Sequence, residues 1–475
     1  QQARKIMQLL DVQRAAKEAA KDKPGFAFFM EQGLGKTSTY LSEFEDHVEQ
    51  DYVSRSVVIA PNSFKGGWRF EIEKQGFNIE PFIWTPDRED AFNHWMRRGF
   101  IKPPMLIVNY EATRYERVRE LIYRFMRERP TSLVFDESIQ LNQFDSLQTK
   151  AGIEISKDAA VNRVLSGKPM TQGPHDLWAQ MRVIKEQEGR EFYAWKTLFC
   201  KRGGFKGKQI VGAQNQDYMA KLINPVTFWA TKKDWTDLPP KLYTHREYTL
   251  TSEMAAQYKS MEDQFVLWLS ETEAVTIDAA ITKYIKLAQI QCGWVYDEEG
   301  KPRPLVSRDR NPRLKLLKQI IDEEVTGKTI VVYRHKPVLD QLLEEFAKYN
   351  PAWIKGGMTP DETERQKARF NSDNNCRVLF NQTEAGKYGH TLLGGPEPEN
   401  HCCTCIFYEN TYSLDGRGQL EDRNHRHGQL GDSVLYIDLV ATSLDFRMIR
   451  ALQLKEDIFQ SVFAEMTRTS AADWR

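Results

Sequence analysis

The chain has 475 residues, too many for one ordinary hydrophobic core, so the length predicts several folded units. Lys plus Arg and Asp plus Glu number 66 each, which excludes a strongly basic nucleic-acid binder and leaves only local surfaces for such a partner. The apolar content of 41% excludes large-scale disorder, and six irregularly spaced cysteines exclude a secreted disulfide scaffold. No apolar run approaches the roughly 18 residues that span a bilayer. We expect a soluble protein in a reducing compartment.

The first segment is an amphipathic helix rather than a signal peptide, because the apolar residues from Ile6 to Ala20 recur at helical spacing. After it, short apolar runs alternate with helical stretches, a pattern typical of buried parallel strands. The runs occupy residues 26–30, 56–61, 105–110, 132–137 and 163–167, and then 328–335, 377–382, 403–410 and 433–440. The fold class predicted is α/β, with two doubly wound parallel sheets.

Three segments follow from this pattern. Residues 1–184 form the first α/β lobe, residues 185–310 a region of helical insertions with an inter-lobe linker, and residues 311–475 the second lobe. The middle region contains a Gly/Lys-rich loop at 201–209 and the sequence LPPK at 238–241. Because prolines fix the backbone, the LPPK segment is interpreted as a rigid connector.

A phosphate-binding loop is predicted where the first run ends, at GLGKT. Glycines 33 and 35 let backbone N–H groups converge on phosphate oxygens, Lys36 neutralises the β and γ phosphates, and the Thr37 hydroxyl ligates Mg²⁺. Met30 stands where the widest form of the motif has glycine. The structural alternative is a tight strand-to-helix turn without a ligand.

An acidic pair, Asp136 and Glu137, ends the run LVFDE. In phosphoryl transfer such a pair supplies a Mg²⁺ ligand and a residue that orients or deprotonates the attacking water. Acidic pairs at strand ends are also common as solvated caps. The catalytic interpretation of this pair therefore depends on the presence of the phosphate loop in the same predicted sheet.

The stretch QLEDRNHRHGQ, residues 419–429, combines two histidines with two arginines. A zinc site built from Asp422, His425 and His427 lacks nearby cysteines and tetrahedral-ligand spacing, and a solvated charged loop is the other alternative. The cysteines of HCCTC, residues 401–405, run into a predicted strand, where they are favoured as small core residues over metal ligands.

Taken in order, these segments resemble helicase superfamily two, and specifically the Swi/Snf family of DNA-translocating ATPases. Residues 57–74 resemble motif Ia, 105–113 motif Ib, 136–142 the DEAH-type box, 163–178 motif III, and LPPK the inter-lobe signature. In the second lobe, residues 328–346 resemble motif IV, 381–392 motif V, and 419–429 the Q-x-x-D-R-x-H-R-x-G-Q pattern of motif VI.

The resemblance implies two RecA-like lobes that hydrolyse ATP with Mg²⁺. Its catalytic residues are Lys36, Glu137 and the arginine fingers Arg423 and Arg426, which the second lobe delivers to ATP held on the first; Thr37 and Asp136 bind the metal. The residues implied for nucleotide binding are Gln2, Gln32, Gly33, Leu34, Gly35, Lys36, Thr37, Ser38, Asp136 and Gly386. Gln1 is an alternative to Gln2, and both are open to a purely surface role.

The implied polymer is double-stranded DNA, gripped mainly through phosphates. The corresponding positions are Ser63, Lys65, Asn109, Tyr110, Lys355, Gly356, Gly357, Thr383 and Lys387, each of which could also be an ordinary loop residue. The basic loop at 201–209 is open to a phosphate-contacting role as well. Lys168, Ile139, Gln140 and His390 depart from the family pattern and concern coupling rather than hydrolysis.

The leading hypothesis is an ATP-dependent duplex-DNA translocase or remodeller, with a DNA-bound protein as its cargo. We expect a monomer without a membrane partner, in a bacterial cytoplasm or a phage-infected host, with the nucleus left open. An RNA or single-strand helicase of superfamily two, and a nucleotide-gated protein-interaction module, are the alternatives.

Overall fold

The structure is a computed structural model that describes residues 9–184, 191–203, 209–271, 285–297, 299–385, 391–411 and 413–470. The chain divides into two compact units. Unit 1 comprises residues 1–237 together with 453–475, and unit 2 comprises residues 238–452. Within the described ranges, no helix is long and apolar enough to cross a membrane.

Unit 1 is built on a parallel sheet. Its strands are β1 Gly25–Met30, β2 Arg55–Ala60, β3 Glu80–Ile83, β4 Pro104–Asn109, β5 Thr131–Asp136, β6 Val161–Ser166, β7 Cys200–Gly203, β8 Gln209–Ala213 and β9 Thr227–Ala230. Its helices are α1 Asp11–Ala20, α2 Lys36–Glu49, α3 Lys65–Gln75, α4 Glu89–Arg97, α5 Glu116–Arg127, α6 Leu147–Ser156, α7 Leu177–Ile184, α8 Phe192–Phe199, α9 Gln216–Ile223 and α10 Lys232–Trp235.

The sheet of unit 1 has the order β3-β4-β2-β5-β6-β1-β9, and all of its described pairings are parallel. Its central strands are buried on both faces, which explains their continuous apolar sequences. Because parallel strands put their carboxyl ends on one edge, the residues that follow β1, β5 and β6 meet there. β7 and β8 form a separate antiparallel hairpin.

Unit 2 carries the second parallel sheet. Its strands are β10 Lys241–Glu247, β11 Trp294–Tyr296, β12 Pro302–Pro304, β13 Thr329–Tyr333, β14 Ala352–Ile354, β15 Val378–Gln382, β16 Thr404–Phe407 and β17 Val434–Val440. Its helices are α11 Ser252–Glu271, α12 Pro312–Gln319, α13 Lys336–Glu345, α14 Pro360–Ser372, α15 Leu414–Glu421 and the start of α16 Ser443–Ser470. The sheet order is β10-β17-β16-β13-β15-β14.

The second half of α16 belongs to unit 1. Phe459, Val462, Phe463 and Met466 lie in the hydrophobic core of that unit, and the Phe463 ring is 5.7 Å from that of Trp229. This packing explains why unit 1 is discontinuous in sequence: the core is completed by residues from the end of the described chain.

The predicted α/β class with two parallel sheets is confirmed, and each of the nine predicted strands is present. The four strands of these sheets that the apolar pattern did not predict are β3, β9, β10 and β14, and each is the edge strand of its sheet. Edge strands are short or partly exposed, so they lack the continuous apolar run of a central strand.

The segment boundaries differ from the predicted ones. The stretch 185–310 is divided between the units, because β9 pairs with β1 of the first sheet and β10 pairs with β17 of the second. Residues 453–475, predicted as part of the second lobe, group with unit 1.

The core assignment of HCCTC is confirmed for Cys402 and Cys405, which are fully buried among apolar side chains.

A buried ion pair joins α2 to the centre of the first sheet. The Arg163 guanidinium, which is 0% exposed, donates to both carboxylate oxygens of Glu43 at 2.8 to 3.1 Å. Such a bidentate pair offsets the cost of burying either charge only while both partners are present.

Glu43→Gln is expected to lower the free energy of unfolding of unit 1 by about 3 to 5 kcal/mol, because Arg163 loses its buried counter-charge. Urea denaturation followed by tryptophan fluorescence measures the change. The matched control is Glu154→Gln, which breaks an exposed ion pair with Lys157 and should cost less than about 1 kcal/mol. Equal losses in the two variants would contradict the assignment of Arg163 to a charge-dependent core contact.

Candidate functional site

The loop between β1 and α2 has the backbone of a phosphate-binding turn. Gly33 and Gly35 adopt φ values of +90° and +80°, which residues with a side chain rarely accept. Gly35 is also the residue that caps the N-terminus of α2, so the free N–H groups and the positive helix end face the loop. Lys36 is buried, and its Nζ donates to the carbonyl of Met30 at 3.0 Å.

Gln13, which no sequence motif singled out, contacts this loop. Its Nε2 donates to the Gly35 carbonyl at 3.4 Å, and its Oε1 accepts from the N–H of Leu10 at 2.9 Å. A Cβ on Gly35 would meet the Gln13 amide nitrogen at 1.9 Å. Its place in the helix could have identified it. Gln13 lies on the buried face of α1 beside Val12 and several alanines, and an amide side chain in such an apolar setting needs a hydrogen-bond partner.

Asp136 lies at the carboxyl end of β5 and is held by three hydrogen bonds. Its Oδ2 accepts from Trp68 Nε1 at 2.9 Å, its Oδ1 from the Glu137 N–H at 3.0 Å, and its carbonyl from the Tyr110 hydroxyl at 2.9 Å. Burial raises the pKa of the Asp136 carboxyl, and this outweighs the hydrogen bond from Trp68 and the positive charge of Lys36, which lower it. These contacts fix the carboxylate at the same sheet edge as the phosphate loop.

Glu137 follows Asp136 with a φ of +48°, a conformation uncommon for a residue with a side chain. Its side chain is 8% exposed. A left-handed residue at the end of a buried strand reverses the chain abruptly and sets the carboxylate at the strand terminus, a placement found at functional turns.

The loop after β6, which carries predicted motif III, packs on the phosphate loop. A Cβ on Gly167 would lie 3.0 Å from Gln32 Cγ and 3.5 Å from Lys36 Nζ, so glycine permits the close approach. The next residue, Lys168, donates to Glu456 of α16 at 2.7 Å. This ion pair gives a physical reason for a lysine where the family pattern has threonine.

The predicted nucleotide residues are thus largely gathered at one edge. Gln32, Gly33, Gly35, Lys36 and Thr37 lie on the loop and the first turn of α2, whereas the Leu34 side chain is buried in the core. The Ser38 hydroxyl is instead hydrogen-bonded to Glu71 and Gln75 of α3. Gln2 and Gly386 lie outside the described residues.

The donor set fits a magnesium-bound nucleotide. Mg²⁺ prefers one or two protein oxygens with phosphate oxygens and water, and Thr37 with Asp136 provides one hydroxyl and one carboxylate beside a glycine-rich cradle. Over the described part of the chain, no group of three or more His, Cys, Asp and Glu side chains suits a metal ion. The zinc alternative for residues 422–427 therefore has no support.

Arg423 and Arg426 lie in unit 2, in the turn that follows α15. Arg423 is 4% exposed and its Nε donates to the Gln419 carbonyl at 2.6 Å, while its own carbonyl accepts from the N–H of Leu392 at 3.0 Å. Arg426 is half-buried; burial lowers the pKa of its guanidinium and Asp422 opposes this shift. Both arginines lie in this turn, and they differ in exposure.

Two of the predicted nucleic-acid residues of unit 1 contact each other. Lys65 Nζ donates to Asn109 Oδ1 and to the carbonyl of Trp84, both at 3.2 Å. Burial lowers the pKa of Lys65, against the opposing charge of Glu111. Tyr110 is 1% exposed and its hydroxyl serves Asp136, so its predicted DNA contact is corrected to a supporting role in the core.

In unit 2, the predicted residues 355–357 are exposed, and the Gly356 N–H donates to Gln382 Oε1 at 2.7 Å. Thr383 is 1% exposed, and its Oγ1 has no hydrogen-bond partner among the described residues. Lys387, His390 and residues 204–208 of the basic loop lie outside the described residues, as does the Ser63 side chain.

The chain carries the two domains of a helicase-like ATPase. The SNF2-related domain matches residues 8–293, and the helicase conserved C-terminal domain matches residues 312–428. The chain belongs to the SNF2-related family, which confirms the resemblance to Swi/Snf proteins.

Individual relatives are distant. The chain is 25% identical over 303 residues to protein p41 of Acyrthosiphon pisum secondary endosymbiont phage 1, covering 62% of each chain. It is 24% identical over 459 residues to the SWI/SNF-related matrix-associated actin-dependent regulator of chromatin subfamily A-like protein 1 homolog of Caenorhabditis elegans, covering 93% of this chain and 60% of that one. The chain therefore spans about 60% of the length of these relatives.

A solved structure, the Sulfolobus solfataricus SWI2/SNF2 ATPase core in complex with dsDNA, is 18% identical to this chain. The match has a TM-score of 0.43 and covers 98% of this chain and 95% of that one.

Gln13→Ala is expected to weaken ATP binding about tenfold, because the phosphate loop loses a buried hydrogen bond and its packing partner at Gly35. Titration with a fluorescent ATP analogue measures the dissociation constant. Gln50→Ala is the matched control, since Gln50 is exposed at the far end of α2, and it should bind as the parent does. Unchanged affinity in the Gln13 variant would show that the contact with Gly35 is incidental.

Proposed function

We propose that the protein is an ATP-driven translocase on double-stranded DNA that displaces or remodels a DNA-bound protein. The observation that carries the proposal is the set of buried contacts that fixes Gly35, Lys36 and Asp136 at one sheet edge. Membership of the SNF2-related family supports the same conclusion. The C. elegans relative is named as a regulator of chromatin, which favours a protein bound to DNA as the cargo.

In the proposed hydrolysis, the residues of unit 1 bind and orient. The loop amides and Lys36 hold the phosphates, so Lys36 exchanges the Met30 carbonyl for phosphate oxygens. Thr37 and Asp136 would hold Mg²⁺, which would supply positive charge to the phosphates. Glu137 orients a water that attacks the γ-phosphorus and accepts a proton from it, while the bond from the γ-phosphorus to the bridging oxygen breaks and ADP leaves. Trp68 and Tyr110 maintain the position of Asp136 and are supporting residues.

Arg423 and Arg426 supply the remaining positive charge. A planar, permanently charged guanidinium is suited to the charge that spreads over the γ-phosphate in the transition state. We assign this role to both arginines, with the half-buried Arg426 as the more accessible of the two.

The DNA contact is proposed at the exposed loop of residues 355–357 in unit 2 and near the Lys65–Asn109 pair in unit 1. The Gly357 backbone has a φ of +89°, which favours glycine, and because glycine has no side chain a phosphate can approach the main chain there. A neutral net charge limits static binding and suits repeated release during movement.

Arg426→Ala is expected to retain ATP binding and to lose DNA-stimulated hydrolysis by a factor on the order of 10³, because transition-state charge is no longer stabilised. A steady-state phosphate-release assay with duplex DNA measures the loss, and the fluorescent ATP analogue measures binding. Arg365→Ala, which alters an exposed arginine of α14, is the matched control. Near-normal turnover in the Arg426 variant would overturn the arginine-finger assignment.

The same assay, run on the parent protein with duplex DNA, single-stranded DNA and RNA, tests the polymer. We expect the strongest stimulation by duplex DNA, together with ATP-dependent displacement of a third strand from a DNA triplex. Strongest stimulation by RNA or single strands would identify a helicase instead. Hydrolysis that no nucleic acid stimulates would favour a nucleotide-gated interaction module.

Lys355→Ala is expected to weaken duplex binding similarly for all sequences and to reduce the slope of log K against log salt by about one, because one phosphate contact is lost. Fluorescence anisotropy at several salt concentrations measures the slope. Lys348→Ala, which removes an exposed lysine paired with Asp322, should leave the slope unchanged. An unaltered slope in the Lys355 variant would exclude a phosphate contact at this loop.

A further inference from the structure

The LPPK segment, residues 238–241, contacts the turn that carries the two arginines. It opens unit 2 and leads directly into β10, which pairs in parallel with β17 from Lys241 to Glu247. The Pro240 carbonyl accepts from the N–H of Val434 at 3.0 Å, which fixes the segment at the start of that pairing. The segment is therefore attached to the second sheet, which begins at its last residue, Lys241.

The first contact is made by a proline carbonyl. His425 Nε2 donates to the Pro239 carbonyl at 2.8 Å, and the His425 side chain is 8% exposed. His425 lies between Arg423 and Arg426 in sequence, so this hydrogen bond fixes the middle of the arginine turn. Two consecutive prolines restrict the backbone that supplies the acceptor, which makes it a rigid one.

The second contact is electrostatic. Lys241 Nζ lies 3.0 Å from Glu421 Oε2 and 3.6 Å from Asp422 Oδ1, and its side chain is 21% exposed. The Tyr243 hydroxyl donates to the same Glu421 oxygen at 2.8 Å. Burial lowers the pKa of Lys241, but the two carboxylates more than compensate and raise it well above its ordinary value. The lysine is thus held as a cation between the two residues that precede Arg423.

Glu421 connects Lys241 to two other parts of unit 2. The other oxygen of Glu421 accepts from Arg417 Nε at 2.8 Å, and Arg417 in turn contacts Asp438 of β17 at 2.6 Å. The main-chain carbonyl of Glu421 accepts from the N–H of His425, the residue before Arg426, at 3.2 Å. Lys241 is therefore linked through Glu421 both to the turn that carries the arginines and, by way of Arg417, to the sheet.

We propose that Lys241 and the Pro239 carbonyl are positioning groups that hold Arg423 and Arg426 in the geometry for ATP hydrolysis. This inference rests on the proposed function, since it concerns how the arginines act. Preorganised charge is effective because it needs no rearrangement in the transition state, and a displacement of about 1 Å can cost about 100-fold in rate. The segment that begins unit 2 therefore also determines the positions of the Arg423 and Arg426 side chains.

The test is a double-mutant cycle on kcat for DNA-stimulated hydrolysis, with Lys241→Met and Arg426→Ala. Lys241→Met keeps the aliphatic stem and deletes the charge, so we expect kcat to fall about 10- to 100-fold with unchanged KM for ATP. In the Arg426→Ala background, Lys241→Met should cause little further loss, because the residue through which it acts is absent. Lys241→Arg should restore most of the activity, and Lys348→Met is the control that leaves kcat unchanged.

An equal loss from Lys241→Met in both backgrounds, or a raised KM with unchanged kcat, would overturn the proposal. If circular dichroism shows that Lys241→Met does not fold, His425→Leu replaces it in the cycle, since it removes the contact with Pro239. The same two results, an equal loss in both backgrounds or a raised KM with unchanged kcat, would then overturn the proposal. The Arg426→Ala arm separates the hypotheses: near-normal turnover there refutes the proposed function, whereas a large loss followed by additivity refutes only the positioning role.

Discussion

The parallel alignment of β5, β6 and β1 is the constraint on which the nucleotide region depends. These adjacent strands end at the same sheet edge, so Asp136, Gly167 and the loop that starts at Glu31 meet although Gly167 lies 136 positions after Glu31. The close approach of Gly167 to Gln32 and Lys36 is possible because Gly167 has no side chain. A substitution elsewhere in the sheet that shifted the register of these strands would therefore displace the residues of the site.

A layer of buried polar side chains maintains that edge. The indole of Trp68 and the hydroxyl of Tyr110 hold Asp136 from two helical or loop segments, and Gln13 supports Gly35 from a third. Each buried donor or acceptor would cost free energy if it lost its partner. The same logic applies in unit 2, where Arg417 and Lys241 share Glu421. In both units the side chains proposed to act on ATP are held by other buried polar side chains.

The central strands could be predicted from the sequence because they are continuous apolar runs. Paired glycines and a dense charged string are also local patterns, and they drew attention to the loop after β1 and to residues 419–429. The sequence did not predict the edge strands, since β10 alternates exposed and half-buried positions without a continuous apolar run. It also misassigned Tyr110, whose motif position suggested a surface contact while its burial is set by packing against Asp136.

Contacts between residues far apart in the sequence could not be predicted from local sequence patterns. Gln13 was overlooked because its partner, Gly35, lies 22 residues away and only the fold brings them together. The same applies to Lys168 and Glu456, which are 288 residues apart, and to Lys241 and Glu421, which are 180 apart. A sequence pattern can identify such residues as unusual, but their partners depend on topology.

The anchoring of α16 in unit 1 has a consequence for synthesis. Phe459, Val462, Phe463 and Met466 belong to a core whose other members are encoded before residue 230. During translation, that core cannot close until nearly the whole described chain has left the ribosome, so the first sheet must wait with an apolar surface uncovered while unit 2 is made. At elongation speeds of about 5 to 20 residues per second, this interval lasts roughly ten seconds or more, long enough for a chaperone to bind the nascent chain.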